Sequence, residues 1–256
     1  MNDTDDRVSE EPESHEPESH EPQSHELRDE PPMADRADPA LPALPARLAQ
    51  VVFSPGELFE RLRERPVWLG ALLTAVVLSV AANLLIPEEL IRQLVMEKMP
   101  DNADPSAAET ALRIAGILRL IGPIVFPPVL AVFLAAVVLL IYSLLAGGEA
   151  SFAQAMSATS HVLFIPTLGG LLTVPLILAA GDAQVTLGLH LLVPGLNSEG
   201  FAYNFLHGLN FFGIWAAVVL GIAVSRIYRR RSAGSSMAVF LSLYVVMKAV
   251  GAVLTG

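Results

Sequence analysis

The chain contains no cysteine, and few of its residues are charged or aromatic (16% and 7% of 256 residues). Without cysteine, disulfides and thiolate metal sites are excluded. So few charges cannot coat a soluble surface of this size, and the mean hydropathy of +0.52 points the same way. The charge is also unevenly missing. No Asp, Glu, Lys or Arg occurs from Leu120 to Ala146, nor from Ala155 to Ala180. Each run exceeds the roughly 20 residues a helix needs to cross a bilayer core. Lipid cannot satisfy open backbone polar groups, so these runs are expected to be helical. Their aliphatics lie in continuous runs rather than alternating, which favours helices over a membrane β-barrel. Gly147-Gly148 and the polar residues up to Gln154 join the two runs into a helical hairpin.

Lysine is scarce as well, at 2 residues against 14 arginines. Together with abundant alanine this suggests a GC-rich bacterial genome. The formal net charge of −10 belongs to one end: residues 1–46 carry 14 acids and 3 bases, net −11, leaving the rest near neutral. A five-residue repeat, Glu11-Pro12-Glu13-Ser14-His15, recurs at 16–20 and as Glu21-Pro22-Gln23-Ser24-His25. With no aromatics and few aliphatics, this tail cannot bury enough surface to offset ordering entropy and is expected to be a disordered, solvated segment. Leu41 to Pro45 reads as an extended linker. The acidic start, with no apolar stretch close behind it, does not resemble a secretory leader, so the first span is expected to act as the insertion signal.

From residue 47 onwards the chain reads as a membrane domain, 47–256. Ser54, Pro55 and Glu57 have the spacing of a capping box with proline in the first turn, opening an amphipathic helix. Its Leu58, Phe59 and Leu62 share one face, expected to rest on the bilayer. Five transmembrane helices follow, at about 67–86, 119–145, 155–180, 206–224 and 237–254. Residues 87–118 are amphipathic and mixed in charge, with Pro100 to Pro105 as a break. The prolines 123, 127 and 128 should kink the second span. Ala71, Ala75, Ser79 and Asn83 form a stripe of small or short side chains on the first span. Gly213, Ala217, Gly221 and Ser225 form another on the fourth, and such stripes let helices approach closely.

Arg47, Arg61, Arg63 and Arg65 precede the first span, and Arg226, Arg229, Arg230 and Arg231 lie between the fourth and fifth. By the positive-inside rule these ends face the cytoplasm, so the N-terminus is cytoplasmic. In a bacterium the location is the cytoplasmic (inner) membrane. Arg226, Arg229, Arg230 and Arg231 are candidates for contact with lipid head groups.

An ionisable group within a span is a functional candidate by default. Lys248, near the middle of span five, is one such group, although no Asp or Glu lies at similar depth to form a relay, and its charge can snorkel outward. His161 in span three is the other, read as a hydrogen-bonded packing residue together with His207 and Asn210. No Walker loop, HExxH, G-x-S-x-G or dinucleotide fingerprint occurs. No enzymatic activity, catalytic residue, cofactor, metal or nucleic-acid partner is therefore expected.

Three stretches together resemble the Yip domain family (Ypt/Rab-interacting membrane proteins), particularly its bacterial branch. They are Phe53-Ser54-Pro55-x-Glu57-x-Phe59, Gly147-Gly148-x-x-Ser151-Phe152-x-Gln154, and Asn210-Phe211-Phe212-x-Ile214-Trp215. The resemblance covers about residues 50–256 and implies an all-α integral membrane protein of five helices with a cytoplasmic N-terminus. Eukaryotic relatives bind Rab GTPases, but the aromatic and Gly-Tyr-rich signatures of those relatives are absent, so that role is not carried over. The expectation is a non-enzymatic scaffold that organises lipids, other membrane proteins or copies of itself. The alternative is a small-solute or ion transporter.

Overall fold

The computed structural model describes residues 41–256 apart from Asp101, Pro194, Ser198, Glu199, Arg230 and Gly256. The acidic repeats and most of the tail lie outside the described residues. Among those described, the chain is all-α, its only β pairing an isolated bridge between Gly188 and Asn210.

The linker expected at 41–45 is shorter than that. Leu44 already opens α1 (Leu44–Phe53), with Pro45 in its first turn, where a helix has no use for the missing N–H. Ser54 joins α1 to α2 (Pro55–Glu64), and its side chain caps nothing, so the box expected with Glu57 does not form. Its backbone serves both helices instead: its N–H donates to Gln50 O at 2.8 Å and its carbonyl accepts from Leu58 N at 3.4 Å. The apolar face of α2 does not rest on lipid. Leu58, Phe59 and Leu62 are buried against later helices of the bundle.

α3 (Leu69–Leu85) stops at Pro87, and α4 (Glu88–Glu97) leaves it at 81°. α5 (Pro105–Val138) includes the helical lead from Ala107 into the second span, and Asp104 caps it by accepting from Ser106 N at 2.8 Å. Pro123, Pro127 and Pro128 do not interrupt it. The irregularity falls further on, where Leu139–Leu145 widens into a π-helix. Positive φ at Gly147 (65°) turns the chain back.

The expected third span is jointed. α6 (Phe152–Val162) and α7 (Phe164–Ala180) meet at Leu163, just ahead of Pro166, which cannot donate to the carbonyl of Val162. Gly181, in the left-handed region at φ 65°, ends α7. The fourth apolar helix also starts later than expected. Residues 206–208 belong to α8 (Phe201–Gly208), and Asn210 opens α9 (Phe211–Ile227) by accepting from Gly213 N at 2.7 Å. α10 (Ala233–Thr255) follows.

Pro105–Leu145, Phe152–Ala180 and Ala233–Leu254 are each long and apolar enough to cross a membrane, and the bent α3–α4 pair raises the number to four. α9 is apolar but 17 residues long, as is α3. At 1.5 Å per residue each reaches about 25 Å, a little short of a hydrocarbon core of about 30 Å.

α6 is the axle of the bundle. Its eight consecutive residues Ala155 to Val162 are all buried, touched by α2, α5 and α9. Small side chains make this possible, and the hydroxyls of Ser157 and Thr159 bond to backbone while Ser160 Oγ is buried without a partner among the described residues. Ser157 Oγ donates to Val67 O at 2.8 Å, and Thr159 Oγ1 to Ala131 O at 3.1 Å. Pro127, Ala131, Ala135, Val138 and Tyr142 form the facing stripe of α5 at helical spacing.

Candidate functional site

Two cavities frame the bundle. The larger, about 700 Å³, lies between α3, α5 and α7 and ends on Leu163 at the α6–α7 joint. α3 packs against both α5 and α7, which hardly touch each other, so the cleft opens sideways between two apolar helices. The residues that make it were conspicuous in the sequence for other reasons. Pro123 and Pro127 lack N–H groups and free the carbonyls of Arg119 and Pro123. Gly169 lets the Phe212 ring lie against α7, and a Cβ on Gly170 would meet nothing. None of the lining residues carries a charge. Polar atoms come from Ser79, Asn83, Thr167, Thr173, Thr186 and Asn210. Thr167 and Thr173 donate back to their own helix, whereas Asn83 Oδ1 is buried without a partner. Arg119, a turn from the cleft, donates to the end carbonyls of α3 at Asn83 and Ile86 and holds that helix against α5.

The stripe expected on the first span is thus divided. Ala71 and Ala75 are packed inside, while Ser79 and Asn83 face the cleft. The second stripe packs within the chain along its length. A Cβ on Gly213 would collide with the Tyr244 hydroxyl, and one on Gly221 with the backbone of Met237, both on α10. Ala217 and Ser225 are buried beside them.

The smaller cavity, about 350 Å³, sits at the other end, lined by Glu60, Glu64, Ser225, Arg226, Arg229, Arg231 and Ala233. Arg226 Nη1 donates to Glu60 Oε1 at 2.7 Å, joining α9 to α2, and Arg231 Nη2 donates to Ala146 O at 3.0 Å. Arg230 lies outside the described residues. At the same end Tyr228 hydrogen-bonds Ser143 at 2.7 Å, and burial raises its phenol above the ordinary value.

The remaining candidates fall away from both cavities. His161 is fully buried on α6, where Nδ1 donates to Ser157 O at 2.8 Å and Nε2 has no partner. The Lys248 stem lies on Gly208 at the end of α8, with Nζ 5.5 Å from the centre of the Tyr244 ring, a cation–π distance. It therefore sits beside the α8–α9 junction. His207 Nε2 donates to Gln184 O at 3.0 Å, and its ring lies 4.9 Å from that of His190. Burial and then the neighbouring His207 hold His190 below the ordinary imidazole value.

Of the motif residues, Pro55 opens α2 and Phe59 is buried, whereas Phe53 is 84% exposed and Phe152 51% exposed. Trp215 packs on the edge of the core. A Cβ on Gly148 would meet the Tyr228 ring at 2.5 Å and Tyr142 O at 2.7 Å. Gln154 is the most informative. It completes a capping box with Ser151, and its Nε2 donates to Arg63 O at 2.7 Å, strapping α6 to α2. The box expected at Ser54 is found here.

An all-helical bundle among the described residues, with helices long and apolar enough to cross a membrane and with large hydrophobic side chains on their outer surfaces, defines an integral membrane protein. The chain matches the Yip1 domain over residues 49–254 and belongs to that family. It is similar to membrane protein YknW of Bacillus subtilis (strain 168), with 26% identity over 177 residues, covering 69% of this chain and 76% of that protein. No solved structure matches it.

Proposed function

We propose that the protein is a non-enzymatic organiser of the membrane that seats a lipid chain in the cleft between α3, α5 and α7. The observation that carries this reading is the cleft's chemistry: an uncharged wall of aliphatic, proline and glycine surface, open sideways where lipid tails lie. Its volume is within the range of about 300–1,000 Å³ for small-ligand sites. Asn83 adds polarity to the cleft wall, its buried Oδ1 unsatisfied by any donor among the described residues. Ion passage is disfavoured, because α6 fills the bundle beyond Leu163 with eight buried residues. Transport remains the rival reading, supported by the α6–α7 joint, which would let the cleft reopen toward the other end.

Gly170→Leu is expected to reduce co-purifying lipid by several-fold in native mass spectrometry, because the new side chain fills the cleft from a position with no neighbours. Gly116→Leu, equally open but outside the cleft, should leave lipid retention unchanged. Solute flux in proteoliposomes that Gly170→Leu blocks would overturn the organiser in favour of the transporter.

The reading includes five crossings, with α3 and α9 as the short ones, a cytoplasmic N-terminus, and a division between a tail of residues 1–46 and the membrane domain. Its support is that α2, the 146–154 link and the α9–α10 turn gather at one end, bringing most of the arginines with them. The absence of cysteine makes the test direct. Single cysteines at Ser232 and Glu149 should be labelled only from the cytoplasmic face, and one at Gln184 only from the opposite face. Labelling of all three from one side would sink the topology.

A further inference from the structure

The arginine-lined cavity, independent of the cleft, has the makings of a site. Arg226 and Arg229 reach it from the end of α9 and Arg231 from the turn into α10, opposite Glu60 and Glu64 of α2. Positive-inside bias accounts for basic residues at this end, but not for their convergence on one cavity. The pocket is also shaped locally: Gly56 lacks a side chain where the Arg226 guanidinium lies, and a Cβ there would stand 3.2 Å from Nη2. The three guanidiniums differ in occupation. Arg226 is held by Glu60, Arg231 by the Ala146 carbonyl, and Arg229 has no hydrogen-bond or ion-pair partner among the described residues. α10 starts at the rim with Ala233, so the positive end of its dipole adds to the same field.

We propose that this cup binds a phosphate monoester, with Glu60 as the internal carboxylate that occupies Arg226 until the phosphate displaces it. Three guanidiniums against the two carboxylates Glu60 and Glu64 leave the cup net positive, with only Glu60 engaged on one of these arginines among the described residues. A tetrahedral dianion supplies acceptors in the several directions from which the guanidiniums converge. The phosphate is either that of a lipid head group or that of a soluble ester, and the cup's chemistry is common to both.

The test uses the full chain. Protein in detergent is titrated calorimetrically with inorganic phosphate, and protein in phosphatidylcholine nanodiscs is assayed with and without phosphatidate. Arg229→Gln should weaken binding about tenfold, since about 1.4 kcal/mol corresponds to a factor of ten. That side chain is exposed and unpartnered, so the fold is left intact. Glu60→Gln should tighten binding several-fold by removing the competitor. Arg61→Gln, an equal loss of charge on the same helix but outside the cup, should change nothing. Saturable binding with this pattern in the phosphate arm assigns a soluble ester. The same pattern in the phosphatidate arm alone assigns the head group. No saturable binding in either arm, or equal weakening by Arg61→Gln, overturns the site and reduces the arginines to general surface charge. Neither result bears on lipid retention in the cleft.

Discussion

Phe59→Ala is expected to destabilise the folded bundle by about 3–5 kcal/mol, the range for truncating a fully buried phenylalanine. Phe59 is 1% exposed and lies with Leu58 and Leu62 among residues of α6 and α9. Removing the ring leaves a cavity where three helices meet, and Leu58 and Leu62 are already packed in the core beside it. Phe53 provides the comparison, since it is 84% exposed only six positions earlier and Phe53→Ala should change stability by less than about 0.5 kcal/mol. Thermal unfolding in detergent, followed by circular dichroism, reads both. If α2 instead lay on the bilayer, as its amphipathic pattern alone implies, the two variants would weaken membrane association alike and leave the melting temperature unmoved.

Gly221→Ala has the second largest expected effect and acts through backbone. A methyl group there runs into the main chain of Met237, with the amide nitrogen at 2.5 Å, so no side chain can swing aside to admit it. α9 and α10 must separate, and overpacking of this kind costs about 1–3 kcal/mol. Alanine's better helix propensity returns at most about 1 kcal/mol. The net loss should appear as a lower melting temperature in detergent. Gly116→Ala, with open space around its Cβ, should instead raise it slightly. A higher melting temperature for Gly221→Ala would mean that α9 and α10 do not approach as closely as described.

The helices were legible in the chain because their boundaries are written in local chemistry. Pro87 ends α3 and Gly147 turns the hairpin, as the sequence indicates, whereas the Asp104 cap of α5 and the left-handed Gly181 after α7 emerge only in the structure. The small-residue stripe from Gly213 to Ser225 marked a close helix contact, and α10 makes it. What could not be read was which surface meets which. An amphipathic face looks the same whether protein or lipid will cover it, so α2 was misplaced. Hydropathy likewise does not separate a helix at the rim from one at the axis. The central place of α6 leaves only a faint signal, the run of small and hydroxyl residues Ala155, Ser157, Ala158, Thr159 and Ser160 in an otherwise aliphatic stretch. Both cavities were present as fragments. The prolines of α5 and glycines of α7 read as separate kinks, and the arginines as an orientation signal. Only tertiary packing sets Gly170 across from Pro123, or Glu60 against Arg226.

The ion pair from Glu60 to Arg226 spans 166 residues of chain. Synthesis at about 5–20 residues per second leaves α2 without its partner helix for on the order of ten seconds. Throughout that interval Leu58, Phe59 and Leu62 lack the α9 share of their cover, and α1 and then α6 are the helices available to pack on them. The contact of α2 with α9 can form only after α9 is made, which sets the completion of the core around Phe59 late in the protein's assembly.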